Sequence, residues 1–309
     1  MLVFFELILG LCVLLLGGEF LVRGAVSFAN FFRVSPFLIG LTIVSFGTSA
    51  PELLVSLQAA VKGSPDLAVG NVVGSNIANL ALVLGATVLI LPIVLDKKNL
   101  LVNWMVMLLA TLLFWGFSIS GSEIVFWEGC VLFGALVCYL IYSFFFMGKN
   151  PQEHSEIMDS KNGLLSPFLF FIVGAIGLYF GAEIMVDSSV VIAVEVLGLS
   201  EAVVGVTIVA FGTSLPELVA SCVAAFRNQP GISIGNLIGS NIFNLLAVLG
   251  LTAIVTPIAV FDSFFFFDVY WLLAISLILG PILLFSRKIG RLLGVSLLAF
   301  YVAYILLVL

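Results

Sequence analysis

Charge is scarce in this chain. Asp, Glu, Lys and Arg make up 9% of 309 residues, against roughly a quarter in an average soluble domain, and 62% are hydrophobic. That balance excludes a water-soluble globular domain and leaves a polytopic membrane protein. Histidine is nearly missing too. The only one, His154, lies in a polar stretch, so no Ser–His arrangement can form within an apolar segment and no enzyme is expected. Four cysteines, Cys12, Cys130, Cys138 and Cys222, fall in apolar runs without C-x-x-C spacing, which argues against disulfides and zinc and for small packing residues.

What fills the chain is apolar runs of about 20 residues, the length that crosses a bilayer. They fall near 2–22, 36–61, 67–92, 100–119, 124–146, 165–186, 201–225, 231–257, 266–286 and 291–309, ten in all. No charged n-region with a small-residue cleavage site precedes the first run, so it is expected to be a retained span. In a ten-span arrangement ten of the eleven Lys and Arg residues fall on one side, with only Lys62 on the other. Basic loops stay in the cytoplasm, so both termini are expected outside and the loop 148–163 inside. A multi-pass protein of the cell membrane follows, with the lipid bilayer as its partner, no nucleic acid and no obligatory protein partner.

Two stretches are near copies: Gly40 to Leu53 (GLTIVSFGTSAPEL) and Gly205 to Leu218 (GVTIVAFGTSLPEL). The offset of 165 persists from Glu52 and Glu217 through Gly70 and Gly235, Asn79 and Asn244, to Pro92 and Pro257. It slips to 164 further back, where Glu19 in GGEFLV matches Glu183 in GAEIMV. The expected fold is therefore all-α, with ten transmembrane helices as two five-helix repeats: 1–147 and 164–309, joined by 148–163. Five is odd, so the second repeat enters the membrane inverted, which places substrate at the midplane between the halves. A purely architectural repeat would keep apolar pattern and let polar identities drift. Here Thr48, Ser49 and Glu52 recur as Thr213, Ser214 and Glu217 while Ala50 becomes Leu215.

In each copy Thr and Glu are four apart, on one helical face with Ser beside them. Pro51 and Pro216 lack an N–H, so the carbonyls of Gly47 and Gly212 lose their helical partners at the depth of the acid. The next helix carries GNVVGSNIANL (Gly70 to Leu80) or GNLIGSNIFNL (Gly235 to Leu245), a stripe of Asn71, Ser75 and Asn79 or of Asn236, Ser240 and Asn244. Interhelical hydrogen bonding is an equally good reading of the outer Asn71 and Asn236. It is a poor reading of the acids. An ionised side chain at the bilayer centre costs roughly 2.5 to 3.5 kcal/mol even on the lenient scale, and neither motif holds a Lys or Arg to pair with it. A cation must. Donors that are all oxygen favour hard ions over zinc or copper; calcium accepts six to eight flexible oxygens, and the same oxygens can hold sodium.

These paired GTS-x-PE and GN-xx-GSN motifs resemble the alpha repeats of the calcium/cation antiporter superfamily, and within it the sodium/calcium exchangers of prokaryotic type, over the full length of the chain. The resemblance implies antiport of Na+ for Ca2+ by alternating access, with no cofactor beyond the transported ions. It also implies a metal site formed by the side chains of Thr48, Ser49, Glu52, Ser75, Asn79, Thr213, Ser214, Glu217, Ser240 and Asn244, with carbonyl ligands from Ser45 and Ala210. Potassium-dependent relatives carry Asp at the place of Asn244 or Asn79, and proton-coupled relatives an acid in the GN motif; the two Asn here favour sodium coupling. A passive cation channel uses similar oxygens and is the reading of a different class.

The remaining polar positions have blander expectations. Glu19, Glu183 and Asp187 are placed near helix ends, as vestibule or capping residues, and Glu6, Glu128 and Asp268 at solvated interfaces. Trp104, Trp115, Trp127 and Trp271 are expected to anchor at the interface, and Phe264 to Phe267 to face lipid. Helices near the N-terminus of each half, outside the motif pairs, are the expected moving elements.

Overall fold

Backbone groups inside hydrocarbon must find partners within their own segment, and a helix is how one isolated run does so. The computed structural model describes residues 2–94, 97–121, 123–147, 164–196, 210–260, 263–286 and 288–308. In chain order the helices are α1 (Leu2–Phe32), α2 (Pro36–Thr48), α3 (Ala50–Val61), α4 (Pro65–Ile90), α5 (Lys97–Ser120) and α6 (Phe126–Met147). The second half gives α7 (Leu165–Val191), α8 (Ala210–Thr213), α9 (Leu215–Phe226), α10 (Pro230–Val255), α11 (Ser263–Phe285) and α12 (Arg291–Val308). Among the described residues eight helices are long and apolar enough to cross a membrane, or nine when α2 and α3, bent by 42°, count as one span. The expected span at 201–225 lies partly, and the loop 148–163 with His154 wholly, outside the described residues.

Proline sets where helices begin. Pro36, Pro51, Pro65, Pro216 and Pro230 all occupy a first-turn position, where their missing N–H costs nothing. Ser35 caps the first of these, its Oγ accepting from the Leu38 amide at 3.2 Å.

α1 is ten residues longer than the apolar run at 2–22. Glu19 and Arg23 are not at its end but in its interior, paired one turn apart at 2.6 Å. At about 46 Å it outruns the hydrocarbon thickness and must tilt.

Two small antiparallel pairs, absent from the sequence reading, tie loops together: β1 (Ile93–Val94) with β4 (Lys288–Ile289), and β2 (Glu123–Ile124) with β3 (Ile258–Ala259). They obey the same offset. Ile93 faces Ile289 and Ile124 faces Ile258; adding 165 to Ile93 yields Ile258, and adding 165 to Ile124 yields Ile289. The offset also relates two hydrogen bonds between neighbouring helices, Tyr139 to Asn103 and Tyr304 to Asp268.

The two halves of the chain interlock. A Cβ on Gly129 of α6 would stand 2.7 Å from the Gly250 carbonyl of α10, and one on Gly294 of α12 would stand 2.9 Å from the Gly85 carbonyl of α4. Each half's last helix thus packs against the other half. The largest apolar core joins α4, α5, α6, α10, α11 and α12, while a second gathers α1, α2, α7 and α9. Within the second, α1 and α7 meet along glycines: a Cβ on Gly10 would fall 2.8 Å from the Met185 amide, and one on Gly24 2.7 Å from that of Phe171. Gly17, Gly174 and Gly181 have equally little room.

Several blander expectations need correction. Glu128 is buried at 3% exposure and caps α6, accepting from the Val125 amide at 2.9 Å and from Ser120 Oγ at 3.2 Å, because a buried helix start needs an acceptor. Cys12, Cys130 and Cys138 are exposed on the outer surface and do not fill the core. Trp104 also ties helices together: its indole donates to the Ser276 carbonyl at 2.7 Å and lies against Gly280, joining α5 to α11. Asp268 is half-buried, accepting from Tyr304 at 3.0 Å. Phe267 packs on Trp271, while the side chains of Phe264 to Phe266 lie outside the described residues.

Candidate ion-binding site

The candidate site lies where the helix breaks before each acid. Between α2 and α3, Ser49 takes φ −89° and ψ 3°, and Ser214 between α8 and α9 takes φ −86° and ψ 1°. Each break is followed by a proline and then the acid, so Glu52 and Glu217 sit in the first turns of α3 and α9. The positive end of a helix dipole is the place for a carboxylate. Both acids are fully buried, and they stand close enough to feel one another's charge.

Neighbouring side chains draw these breaks together across the two halves. Ser49 Oγ donates to Glu217 Oε1 at 3.0 Å, and Thr48 Oγ1 donates to Asn236 Oδ1 at 3.1 Å and lies 3.4 Å from Ser240 Oγ. In the mirror arrangement Ser75 Oγ lies 3.4 Å from Thr213 Oγ1. Ser45 turns its hydroxyl into its own helix, onto the Leu41 carbonyl at 2.7 Å, while its carbonyl receives the Ser49 amide at 2.9 Å and Thr48 Oγ1 at 3.4 Å. Ala210 heads α8; its side chain and residues 201–209 of the second motif lie outside the described residues.

The buried oxygens left over are the informative ones. Both Glu52 oxygens, Glu217 Oε2, Ser214 Oγ and all amide atoms of Asn79 and Asn244 are sealed from solvent without a hydrogen-bond partner. Buried polar groups are otherwise almost always paired, and an orphan costs about 1 to 3 kcal/mol, more if charged. Those on the two acids, Ser214, Asn79 and Asn244 belong to the duplicated motifs, and such a set could hold a cation. Among the described residues no cluster of three or more His, Cys, Asp or Glu occurs, so two carboxylates with hydroxyl, amide and carbonyl oxygens are what the site offers. Such a set suits hard cations.

Asn79 and Asn244 both stand at wide π-helical turns, Ala78–Val83 and Asn244–Val248, and a third covers Gly40–Val44 just before Ser45. Such turns free backbone groups and gather at functional sites. Nothing in residue type announces them.

Asn71 and Asn236, left open by the sequence, are positioning residues. Asn71 donates to Ser56 Oγ at 2.9 Å and to the Glu52 carbonyl at 3.3 Å, fixing α4 beside the acid. Asn236 does the same for α9 through Ser221 Oγ at 3.0 Å. Ser56 and Ser221 escaped sequence reasoning, though they too are 165 apart. Beside Ser49, between α2, α6 and α10, lies a pocket of about 490 Å³ lined by apolar groups such as Phe46, Phe133, Leu136 and Phe243. Its lining is apolar apart from Thr42 and Ser49.

The chain is similar to known proteins over nearly its whole length. The family described as sodium/calcium exchanger protein matches residues 2–145 and 166–309. A putative antiporter, CaxA, from Alkalimonas amylolytica is 36% identical over 92% of this chain and 90% of its own length. The sodium/calcium exchanger MaX1 of Methanosarcina acetivorans is 33% identical over 98% of this chain and 97% of its own. Among solved structures, the sodium-calcium exchanger NCX_Mj soaked with zero Na+ and Ca2+ superposes with a TM-score of 0.86 at 35% identity, over 99% of this chain and 98% of that one.

Proposed function

This chain belongs to the sodium/calcium exchanger protein family, and from that premise we propose that it exchanges Na+ for Ca2+ at one central site, opened alternately to the two sides of the membrane. It is a transporter and not an enzyme, with Na+ and Ca2+ as its substrates. The observation that carries the reading is the pair Glu52 and Glu217, both fully buried, with three of their four carboxylate oxygens unpartnered. Two negative charges are balanced by one Ca2+ or by about two Na+, so competing ions can hold the same oxygens in turn.

The side chains of Thr48, Ser49, Glu52, Ser75, Asn79, Thr213, Ser214, Glu217, Ser240 and Asn244 coordinate the ions, with the carbonyls of Ser45 and Ala210. Ten transmembrane helices in two inverted repeats, 1–147 and 164–309, hold them, with 148–163 as the connecting cytoplasmic loop and both termini outside. What supports the repeat is the offset shared by the motifs, the strand pairs and the glycine contacts. What supports the orientation is the one-sided Lys and Arg distribution. Alternation follows from differential binding: an ion-filled site stabilises occlusion, and an empty doubly charged one resists crossing.

Calcium uptake into proteoliposomes loaded with sodium, with potassium, or with a pH gradient tests the reading. Uptake driven by sodium alone is expected. Uptake that ignores any opposing gradient would make the protein a channel, and uptake driven only by potassium or protons would reassign the coupling ion.

A further inference from the structure

We propose that Glu19 and Arg227 form an ion pair that holds one side of the transporter shut, and that Glu183 and Lys62 form its counterpart when the other side is shut. Transport then makes one pair as it breaks the other. This rests on the exchange reading and on the inverted repeat.

The made pair joins two elements that matter to the site. Glu19 lies inside α1; Arg227 follows directly on α9, the helix that Glu217 opens. Arg227 Nε donates to Glu19 Oε2 at 2.9 Å and its Nη2 meets Oε1, while Arg23 Nε donates to Oε1 at 2.6 Å. Beneath the pair α1 covers α9. Val219 and Ala220 are 8% and 1% exposed, and a Cβ on Gly18 of α1 would lie 2.8 Å from Val219 Cγ1.

The repeat gives every member of this contact a partner. Glu183 is Glu19 displaced by 164, and Lys62, directly after α3, is Arg227 displaced by 165; acid and base keep their signs. Asp187 stands where Arg23 does and puts a second carboxylate one turn from Glu183. Yet the mirror contact is open. Leu54 and Val55, the counterparts of Val219 and Ala220, are 48% and 38% exposed, and Glu183 and Lys62 are exposed as well. Among the described residues the ion pairs are those of Glu19 with Arg23 and Arg227.

The close glycine contact couples the two. α1 and α7 approach backbone to backbone at Gly10, Gly17 and Gly24 on one and Gly174 and Gly181 on the other, so they shift as one body. A shift that lifts α1 from α9 carries α7 onto α3, bringing Glu183 toward Lys62. Apolar contact alone barely favours either position, since lipid tails cover Leu54 as well as a helix does. The charged pairs supply the preference. In the proposed orientation Arg227 is cytoplasmic, and this structure is closed on that side.

The test uses the full chain in proteoliposomes with its four cysteines replaced by serine, after confirming sodium-driven calcium uptake. Cysteines are placed at 19 and 227 in one variant and at 62 and 183 in another, and each is treated with a short, cleavable bifunctional maleimide. Both pairs are expected to crosslink, each crosslink to abolish uptake, and cleavage of the linker to restore it. Independently, Lys62→Glu is expected to slow uptake, and the exchange of charges in Lys62→Glu with Glu183→Lys to recover it. Failure of 62 and 183 to crosslink in every ionic condition while 19 and 227 do, crosslinks that leave uptake unchanged, or a charge-exchanged double variant no faster than Lys62→Glu would each overturn the inference. Absence of sodium-driven uptake in the unsubstituted protein would instead defeat the exchange reading on which it stands.

Discussion

Ser49 Oγ and Glu217 Oε1 are joined at 3.0 Å, whereas their counterparts Ser214 and Glu52 make no bond to each other: Ser214 Oγ and both Glu52 oxygens are buried without a partner. The two halves of the site are thus alike in composition and unlike in state. Hydrogen bonds to charged groups contribute about 1.5 to 3 kcal/mol. Ser49→Ala is therefore expected to lower the ion-free melting temperature, because it strips a buried carboxylate of its donor. Ser214→Ala has no such bond to lose and should melt like the parent. Equal losses in the two variants, read by thermal unfolding in detergent without calcium or sodium, would mean that the asymmetry is not a property of the ion-free protein.

The acids themselves give a sharper contrast. Glu52→Gln and Glu217→Gln each remove half of the charge that balances Ca2+ and are expected to abolish sodium-driven uptake. Each also removes a buried charge with no Lys or Arg to neutralise it, so neither should destabilise the ion-free protein. Ligand binding raises stability by mass action, about 2.7 kcal/mol at a hundredfold excess over Kd. The calcium-induced rise in melting temperature seen in the parent should vanish in both variants, and a rise of parental size in either would take that residue out of the site.

Most of the site was legible because its chemistry is costly in a membrane. A buried Glu without a base, repeated 165 residues later beside the same Thr, Ser and Pro, has few explanations, and the structure draws Thr48, Ser49, Ser75, Thr213, Glu217 and Ser240 into contact. What stayed hidden depends on geometry that residue types do not encode. Asn71 reads equally well as ligand or packing group until its bonds to Ser56 and the Glu52 carbonyl are seen. The π-helical turns at Asn79 and Asn244 arise from tertiary fit, not from propensity. Charge does not mark where α1 ends: Glu19 and Arg23 pair within a helix that runs on to Phe32. The bond from the Trp104 indole to the Ser276 carbonyl likewise leaves no mark in the sequence around it.

Packing of α1 against α7 leaves no room for a methyl group. Gly17→Ala and Gly181→Ala would push a Cβ into the facing backbone, and overpacking of this kind costs about 1 to 3 kcal/mol. Both are expected to melt lower and to transport more slowly. Gly116→Ala in α5 meets nothing within 4 Å and serves as the control. Replacing a helical glycine with alanine there should hold or raise stability by about 0.5 to 1 kcal/mol. Indistinguishable melting of all three would mean that the α1–α7 contact is looser than drawn.

Protons and metal ions are alternatives at a pair of carboxylates that no Lys or Arg in either motif neutralises. A proton on Glu52 or Glu217 removes the charge that holds the second positive charge of Ca2+, so acidification is expected to inhibit uptake by competition. Competition has a signature distinct from general inactivation. As pH is lowered from neutral to mildly acid, the calcium concentration for half-maximal uptake should rise, while uptake at saturating calcium stays the same. General inactivation by acid would instead lower the rate at saturation. Initial rates across a calcium series at several pH values separate the two, and a falling plateau with constant half-saturation would move the proton's target away from the buried pair.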